Sequence, residues 1–227
     1  MSSVESKFKH SDILIVGDSF CACRNKESDW PNKLVELLSG VSLPARGQGF
    51  GGCHWWSTRQ CLVNELAIST PEVLILCHTD HSRLPSDQNF PLNPASIFDK
   101  QSALLPVRIG KDYRVIQEAA KYYYKYLQST AWDEWTANAW YKELDSLISS
   151  YDIPYVIHLF GFENCMYTFN RGMISKEILS SFNMGQGVRN HFSQEANISV
   201  ATAIADMITN HYQDGVIKDF NLLRLCK

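Results

Sequence analysis

The chain has 227 residues, 45% hydrophobic, 20% charged and 12% aromatic, a globular composition that excludes a disordered or fibrous chain. Its formal charge is −3, from 21 Lys plus Arg against 24 Asp plus Glu, and no basic run forms a footprint for nucleic acid or anionic lipid. No apolar stretch reaches the roughly 18 residues of a membrane span, and the opening MSSVESKFKH is polar. The sequence therefore predicts neither an anchor nor a signal peptide and points to a cytoplasmic protein.

Residues 12 to 17, DILIVG, form a short continuous apolar run ended by glycine, the pattern of a strand buried on both faces of a parallel sheet. It runs straight into Asp18-Ser19-Phe20. In "DWPNKLVELLSG", Asp29 can cap a helix, Pro31 fits its first turn and Gly40 ends it. "GVSLPARGQGFGG" predicts a short second strand and a glycine-rich turn, and "WWSTRQCLVNELAIS" has helical spacing.

"EVLILCHTD" (72–80) and "YVIHLFG" (155–161) repeat the opening pattern. Three such strands separated by helices predict an α/β fold with a doubly wound parallel sheet of about five strands. Between them, "HSRLPSDQNFPLNPASIFDKQSALLPVRIG" is rich in proline and lacks periodicity, as expected of a functional lid or wall. "DYRVIQEAAKYYYKYLQS" and "AWDEWTANAWYKELDSLISSY" predict an inserted helical pair, with the loop spanning about 81–150 of a single domain, 1–227. Their tyrosines and tryptophans are expected to pack on the sheet and on each other. "FSQEANISVATAIADMITNHY" predicts a last helix capped by Ser193, with Ile198, Ala201, Ala205 and Ile208 on one face. The tail from Asp214 carries no strong signal.

Seven cysteines, an odd number in apolar or tight-turn contexts, are expected to be reduced thiols. Cys21 and Cys23 lack a second pair at zinc-ribbon spacing, so no metal is expected.

In a doubly wound sheet, ligands collect outside the carboxyl ends of the strands. Ser19 follows strand one, the glycine cluster follows strand two, Thr79 follows strand three and His191 precedes the last helix. This set resembles the SGNH (GDSL-type) hydrolase family. The resemblance implies a flavodoxin-like sheet and makes Ser19, in Gly17-Asp18-Ser19-Phe20, the nucleophile. In "GQGFGGC", Gly52 corresponds to the family's second-block glycine, with Gly49 and Gly51 freeing the turn. Where the family reads Gly-x-Asn-Asp, this chain reads "CHTD", so Thr79 replaces the asparagine. Where it reads Asp-x-x-His, this chain reads "VRNH", with His191 in place and Val188 where the acid should stand. The patterns "DWPNKL", "GFGGCHWWSTRQ", "HTDHSRLP" and "RNHFSQEAN" resemble a divergent branch often seen in tailed bacteriophages, which implies a host cytoplasm.

The implied chemistry is ester hydrolysis through an acyl-enzyme at Ser19, with His191 as base and no metal or organic cofactor. The substrates implied are small acyl esters, acylated carbohydrate among them. Backbone N–H groups of Ser19 and Gly52 would hold the oxyanion, with the Thr79 hydroxyl as a further donor and His78 or His54 as substitutes. Asn190, a backbone carbonyl, Asp80 or Glu195 could orient the imidazole. Arg83 is open to two readings, a contact for an anionic part of the substrate or a loop brace. Trp55 and Trp56 could wall a substrate pocket. Two other functions remain open: a non-catalytic binding protein on the same fold, and an acyltransferase using the same serine.

Overall fold

The computed structural model describes residues 13–22, 29–40, 44–47, 49, 53–85, 92–98, 111–161, 167–179, 192–212 and 218–225. Five parallel strands build one sheet in the order β1 (Ile13–Gly17), β2 (Val73–His78), β3 (Tyr155–Phe160), β4 (Met173–Ile178) and β5 (Lys218–Phe220). Ile13 to Gly17 pair in register with Val73 to Cys77, and Val73 to His78 with Tyr155 to Phe160. The central strands are continuous apolar runs because both faces are covered. The odd-numbered Ile13, Ile15, Val73, Ile75 and Ile157 join one core, and the even-numbered Leu14, Val16, Leu74, Leu76 and Val156 join another on the opposite face.

Helices α1 (Trp30–Ser39) and α6 (Gln194–Asp206) cover the first face, through Leu34 and Val35 and through Val200, Ala201 and Ile204. Helices α2 (Trp55–Ile68) and α5 (Thr130–Ser149) cover the second, through Leu62 and Leu66 and through Trp140, Leu144 and Ile148. The fold is thus an α/β doubly wound parallel sheet. Full burial of such side chains stabilises by about 1.5–3 kcal/mol each.

The predicted second strand is reduced to two parallel bridges on the outer side of β1, Leu14 with Arg46 and Gly17 with Gly49. The Ile15 N–H donates to the Arg46 carbonyl at 2.9 Å. The chain therefore steps outward from β1 past α1, then returns past α2 to form β2 on the other side. This reversal puts the topological switch point between the ends of β1 and β2, where an open α/β sheet offers its crevice.

Gly40 ends α1 in the left-handed conformation (φ 71°), and its N–H donates to the Glu36 carbonyl. Asp29 holds the N-cap position but makes no side-chain cap bond. Ser193 caps α6, its hydroxyl accepting from the Ala196 N–H at 3.2 Å.

Four expectations are corrected. The face of α6 is rotated from the predicted one: Val200, Ala201, Ala203 and Ile204 are buried, whereas Ile198 is exposed. The inserted helical pair divides, because α5 packs on the sheet as a regular crossover helix. Its neighbour α4 (Lys111–Tyr126) instead packs with the short α3 (Pro94–Phe98), where Leu92, Ile97, Tyr113 and Tyr124 form a separate core. Tyr124 and Trp140 are packed as expected, and Tyr122 stacks on Tyr126 and Trp132 on Trp135, but these four rings are exposed and off the sheet. Finally, β4 arises from MISKEI and β5 from KDF in the tail, followed by α7 (Leu222–Leu225). No helix among the described residues is long and apolar enough to cross a membrane.

Candidate functional site

Strand β1 ends at Gly17, where an added Cβ would meet the Cys77 carbonyl at 2.3 Å, so only glycine lets the backbone pass so close to β2. The chain then turns through one 3-10 turn, Ser19–Cys21, with Asp18 as its cap. The Asp18 Oδ1 accepts from the Phe20 N–H at 2.9 Å, and its carbonyl accepts from the Cys21 N–H at 3.2 Å. A hydrogen-bonded aspartate cap thus presents Ser19 at the carboxyl end of the sheet. The second glycine that matters is Gly49: a Cβ there would lie 2.4 Å from the Asp18 carbonyl and 2.6 Å from the Cys21 Sγ. Gly49 is therefore laid directly against the serine turn.

Ser19 is half-buried and lines a cavity of about 40 Å³ with Phe20, Ala22, Asp29, Trp30, Phe192 and Asn197. Trp30 holds the wall by two bonds, its indole N–H donating to the Phe20 carbonyl at 2.5 Å and its backbone N–H to the Asn197 Oδ1 at 3.0 Å. The ring of Phe192 stands 5.5 Å from that of Phe20. Segments from opposite ends of the chain thus meet beside Ser19.

Beneath the serine turn lies a buried polar knot. Asp18 is fully buried, and burial pushes its carboxyl above the ordinary value, opposed first by the Arg83 guanidinium and then by the Phe20 N–H. Arg83, 4% exposed, places Nη2 3.6 Å from the Asp18 Oδ2 and donates from Nη1 to the Cys53 carbonyl at 2.9 Å. The Thr79 hydroxyl donates to that same carbonyl at 3.0 Å. A hydroxyl carries one proton, so in this arrangement Thr79 does not offer it to an oxyanion. The guanidinium is buried and ties the serine turn, through Asp18, to the Cys53 carbonyl.

His54 caps α2, its Nδ1 accepting from the Trp56 N–H at 3.1 Å, which puts the proton of the neutral ring on Nε2. Burial, and secondarily Arg83, lowers its pKa to about 4, so it is neutral at physiological pH. Trp55 is half-buried and stacks on Trp140 at 5.6 Å, while Trp56 is exposed, with Arg59 5.1 Å above its ring. Asp80 is engaged in its own turn, its Oδ1 accepting from the Ser82 N–H at 2.8 Å and the Ser82 hydroxyl at 2.7 Å. Glu195 lies exposed in the first turn of α6. Gly52, Asn190 and His191 lie outside the described residues.

Sequence reasoning missed five lining residues, Ala22, Asp29, Trp30, Phe192 and Asn197. The signal for Phe192 was its place next to His191. It also missed a buried histidine pair. His78, at the end of β2, hydrogen-bonds His158 of β3 (Nε2 to Nδ1, 3.0 Å), and the His158 Nε2 lies 3.1 Å from the Arg171 carbonyl. That carbonyl can only accept, so Nε2 of His158 carries its proton and Nε2 of His78 donates to His158. Burial lowers both pKa values, that of His158 to about 4. Cys21, Cys53, Cys61 and Cys77 are free thiols, and no cluster among the described residues could hold a metal ion. Comparison with protein-family models, curated proteins and solved structures finds no match to this chain.

Proposed function

We propose that the protein is a serine acyl hydrolase of SGNH type that cleaves small acyl esters, acylated carbohydrate among them, through an acyl-enzyme at Ser19 with His191 as base. The carrying observation is the shared cavity: Ser19 and Phe192, the neighbour of His191, line the same space, with the Phe20 and Phe192 rings 5.5 Å apart. Placement at the switch point of the sheet, beside the glycine-rich turn, supports the same reading. In the proposed reaction His191 takes the Ser19 proton as Oγ attacks the ester carbonyl, and the N–H groups of Ser19 and Gly52 receive the developing charge. Collapse expels the alcohol, which takes the proton from His191; water then repeats the sequence and releases the acid.

The test is labelling by a fluorophosphonate probe with turnover of short-chain nitrophenyl esters. Both should occur in the wild type and vanish in Ser19→Ala. A wild type that neither labels nor turns over defeats the proposal. One observation favours a non-catalytic binding protein instead, namely the Thr79 hydroxyl spent on the Cys53 carbonyl. An acyltransferase would label equally but pass its acyl group to an added sugar faster than to water.

A further inference from the structure

We propose that the outer edge of the sheet carries a second ligand site, independent of the chemistry at Ser19, which takes a small monoanion with an apolar body. Strands β1 and β5 lie at opposite ends of the sheet, with β2, β3 and β4 between them. Beside β5 opens a cavity of about 400 Å³, within the roughly 300–1,000 Å³ of ligand pockets. Its floor is apolar: Met173, Met207 and Phe220 are buried members of the first-face core, and Leu225 packs against them. Its rim is charged, formed by the exposed side chains of Lys176, His211 and Asp219.

Two departures from regular structure meet at this cavity. Between the pairs His158 with Ile174 and Phe160 with Ile178, β3 advances by two residues and β4 by four, so β4 bulges around Lys176. Bulges re-aim side chains and recur beside functional sites. Helix α6 passes beyond Asp206 into one π-helical turn, Met207–His211, which gives Met207 to the floor and His211 to the rim. Such turns also recur at functional sites. The Glu177 carboxylate accepts from the Leu222 N–H at 2.7 Å, which anchors α7 and its Leu225 to the bulge.

The rim sets the charge of the ligand. The Lys176 Nζ stands 3.8 Å from the Asp219 Oδ2, beyond hydrogen-bond range, and the His211 Nε2 stands 3.3 Å from the Asp206 Oδ2. Exposed ion pairs contribute little. An ammonium carries three donors on a flexible stem, so Lys176 can meet a ligand anion while staying near Asp219. The one carboxylate on the rim already faces Lys176, which favours an anion over a cation. Unbranched methionines on the floor adapt to the shape of the apolar body.

The experiment titrates phenylacetate into the full chain by amide spectroscopy and calorimetry, with phenylethanol and phenethylamine as neutral and cationic matches. Phenylacetate should bind with a Kd of about 1 mM or tighter, and more tightly than either match by about fivefold. Amides of Met173, Lys176, Met207, Phe220 and Leu225 should shift, while those of Ser19 and Phe192 stay. Lys176→Gln should weaken phenylacetate by about fivefold and leave phenylethanol unchanged, with the melting temperature held because the side chain is exposed. Leu225→Trp should fill the cavity and weaken all three ligands; if it fails to fold, the amide shifts and Lys176→Gln decide. Ser19→Ala should bind phenylacetate as the wild type does, so failure of the hydrolase reading leaves this site standing. Shifts centred on Ser19, tightest binding of the amine, equal phenylacetate affinity in Lys176→Gln, or no saturable binding of phenylacetate each overturns the proposal.

Discussion

The ring of Phe192 stands 5.5 Å from the ring of Phe20, so the neighbour of His191 touches the neighbour of Ser19 across 172 residues of chain. Two residues that side by side flank the proposed nucleophile and base are thereby pinned to one another. Phe192→Ala should loosen this pin without unfolding the chain, because Phe192 is only half-buried and truncation costs less than the roughly 3–5 kcal/mol of a core phenylalanine. The expected outcome is labelling of Ser19 slowed by about tenfold with a melting temperature lowered by a few degrees. His191→Ala should abolish labelling with no comparable loss of stability. Equal labelling in wild type and His191→Ala would remove the histidine from the mechanism.

The cavity beside Ser19 predicts which acyl groups fit. Its volume is about 40 Å³, whereas one water needs about 10–15 Å³ on the same measure. The space suits an acetyl group and not a long chain. Nitrophenyl acetate should therefore exceed the hexanoate in kcat/KM by about tenfold or more, since each misplaced methylene in a hydrophobic pocket is worth about 1–3 kcal/mol. Phe192→Ala should narrow that preference. A wild-type preference for the hexanoate would show that the acyl group lies elsewhere.

Gly49 provides a test of the serine turn that leaves its chemistry untouched. A methyl group there would overlap the Asp18 carbonyl at 2.4 Å and Cys21 at 2.6 Å, and both are backbone or deeply buried, so the turn must move. Overpacking of this kind costs about 1–3 kcal/mol. Gly49→Ala should melt several degrees lower and label more slowly than the loss of folded protein explains. Labelling that falls only in step with the folded fraction would mean the two turns move independently.

The central sheet was legible because a strand covered on both faces has to be apolar throughout, and ILIVG, VLILCH and YVIHLF each are. The edge was not: MISKEI mixes buried, half-buried and exposed residues and KDF is three residues long, so neither carries an unbroken apolar signal. The second strand was readable only as a tendency, and two bridges are all that forms. At the site, Ser19 and the glycine turn stand out by residue type and spacing. The inward turn of Arg83 does not, because a lone arginine in a polar loop looks the same whether it faces water or a buried carboxylate. A clue was present in Asp18, since an acid directly behind a buried strand needs a partner. His158 offered another, as a histidine in the middle of an apolar strand must find a hydrogen-bond partner.

The buried histidines predict how stability varies with pH. His54 and His158 have pKa values lowered to about 4 from an ordinary 6.5, each first by burial, and that of His78 is lowered in the same direction. A group with a depressed folded-state pKa is neutral in the fold but takes a proton readily once unfolded. Its contribution is therefore fully present above pH 6.5 and is lost as pH falls toward 4. For His54 the loss by pH 4 is on the order of 2–3 kcal/mol. Asp18, with its raised pKa, acts in the opposite sense and partly offsets the loss, because its protonation favours the fold. The chain should hold a flat melting temperature from pH 8 to 7 and lose stability steeply below pH 6. His54→Gln keeps an acceptor for the Trp56 N–H but cannot titrate, so it should flatten the acid limb measured by denaturant titration at pH 7, 6, 5 and 4. An unchanged slope in His54→Gln would mean that the imidazole is solvated and titrates alike in the folded and unfolded chain.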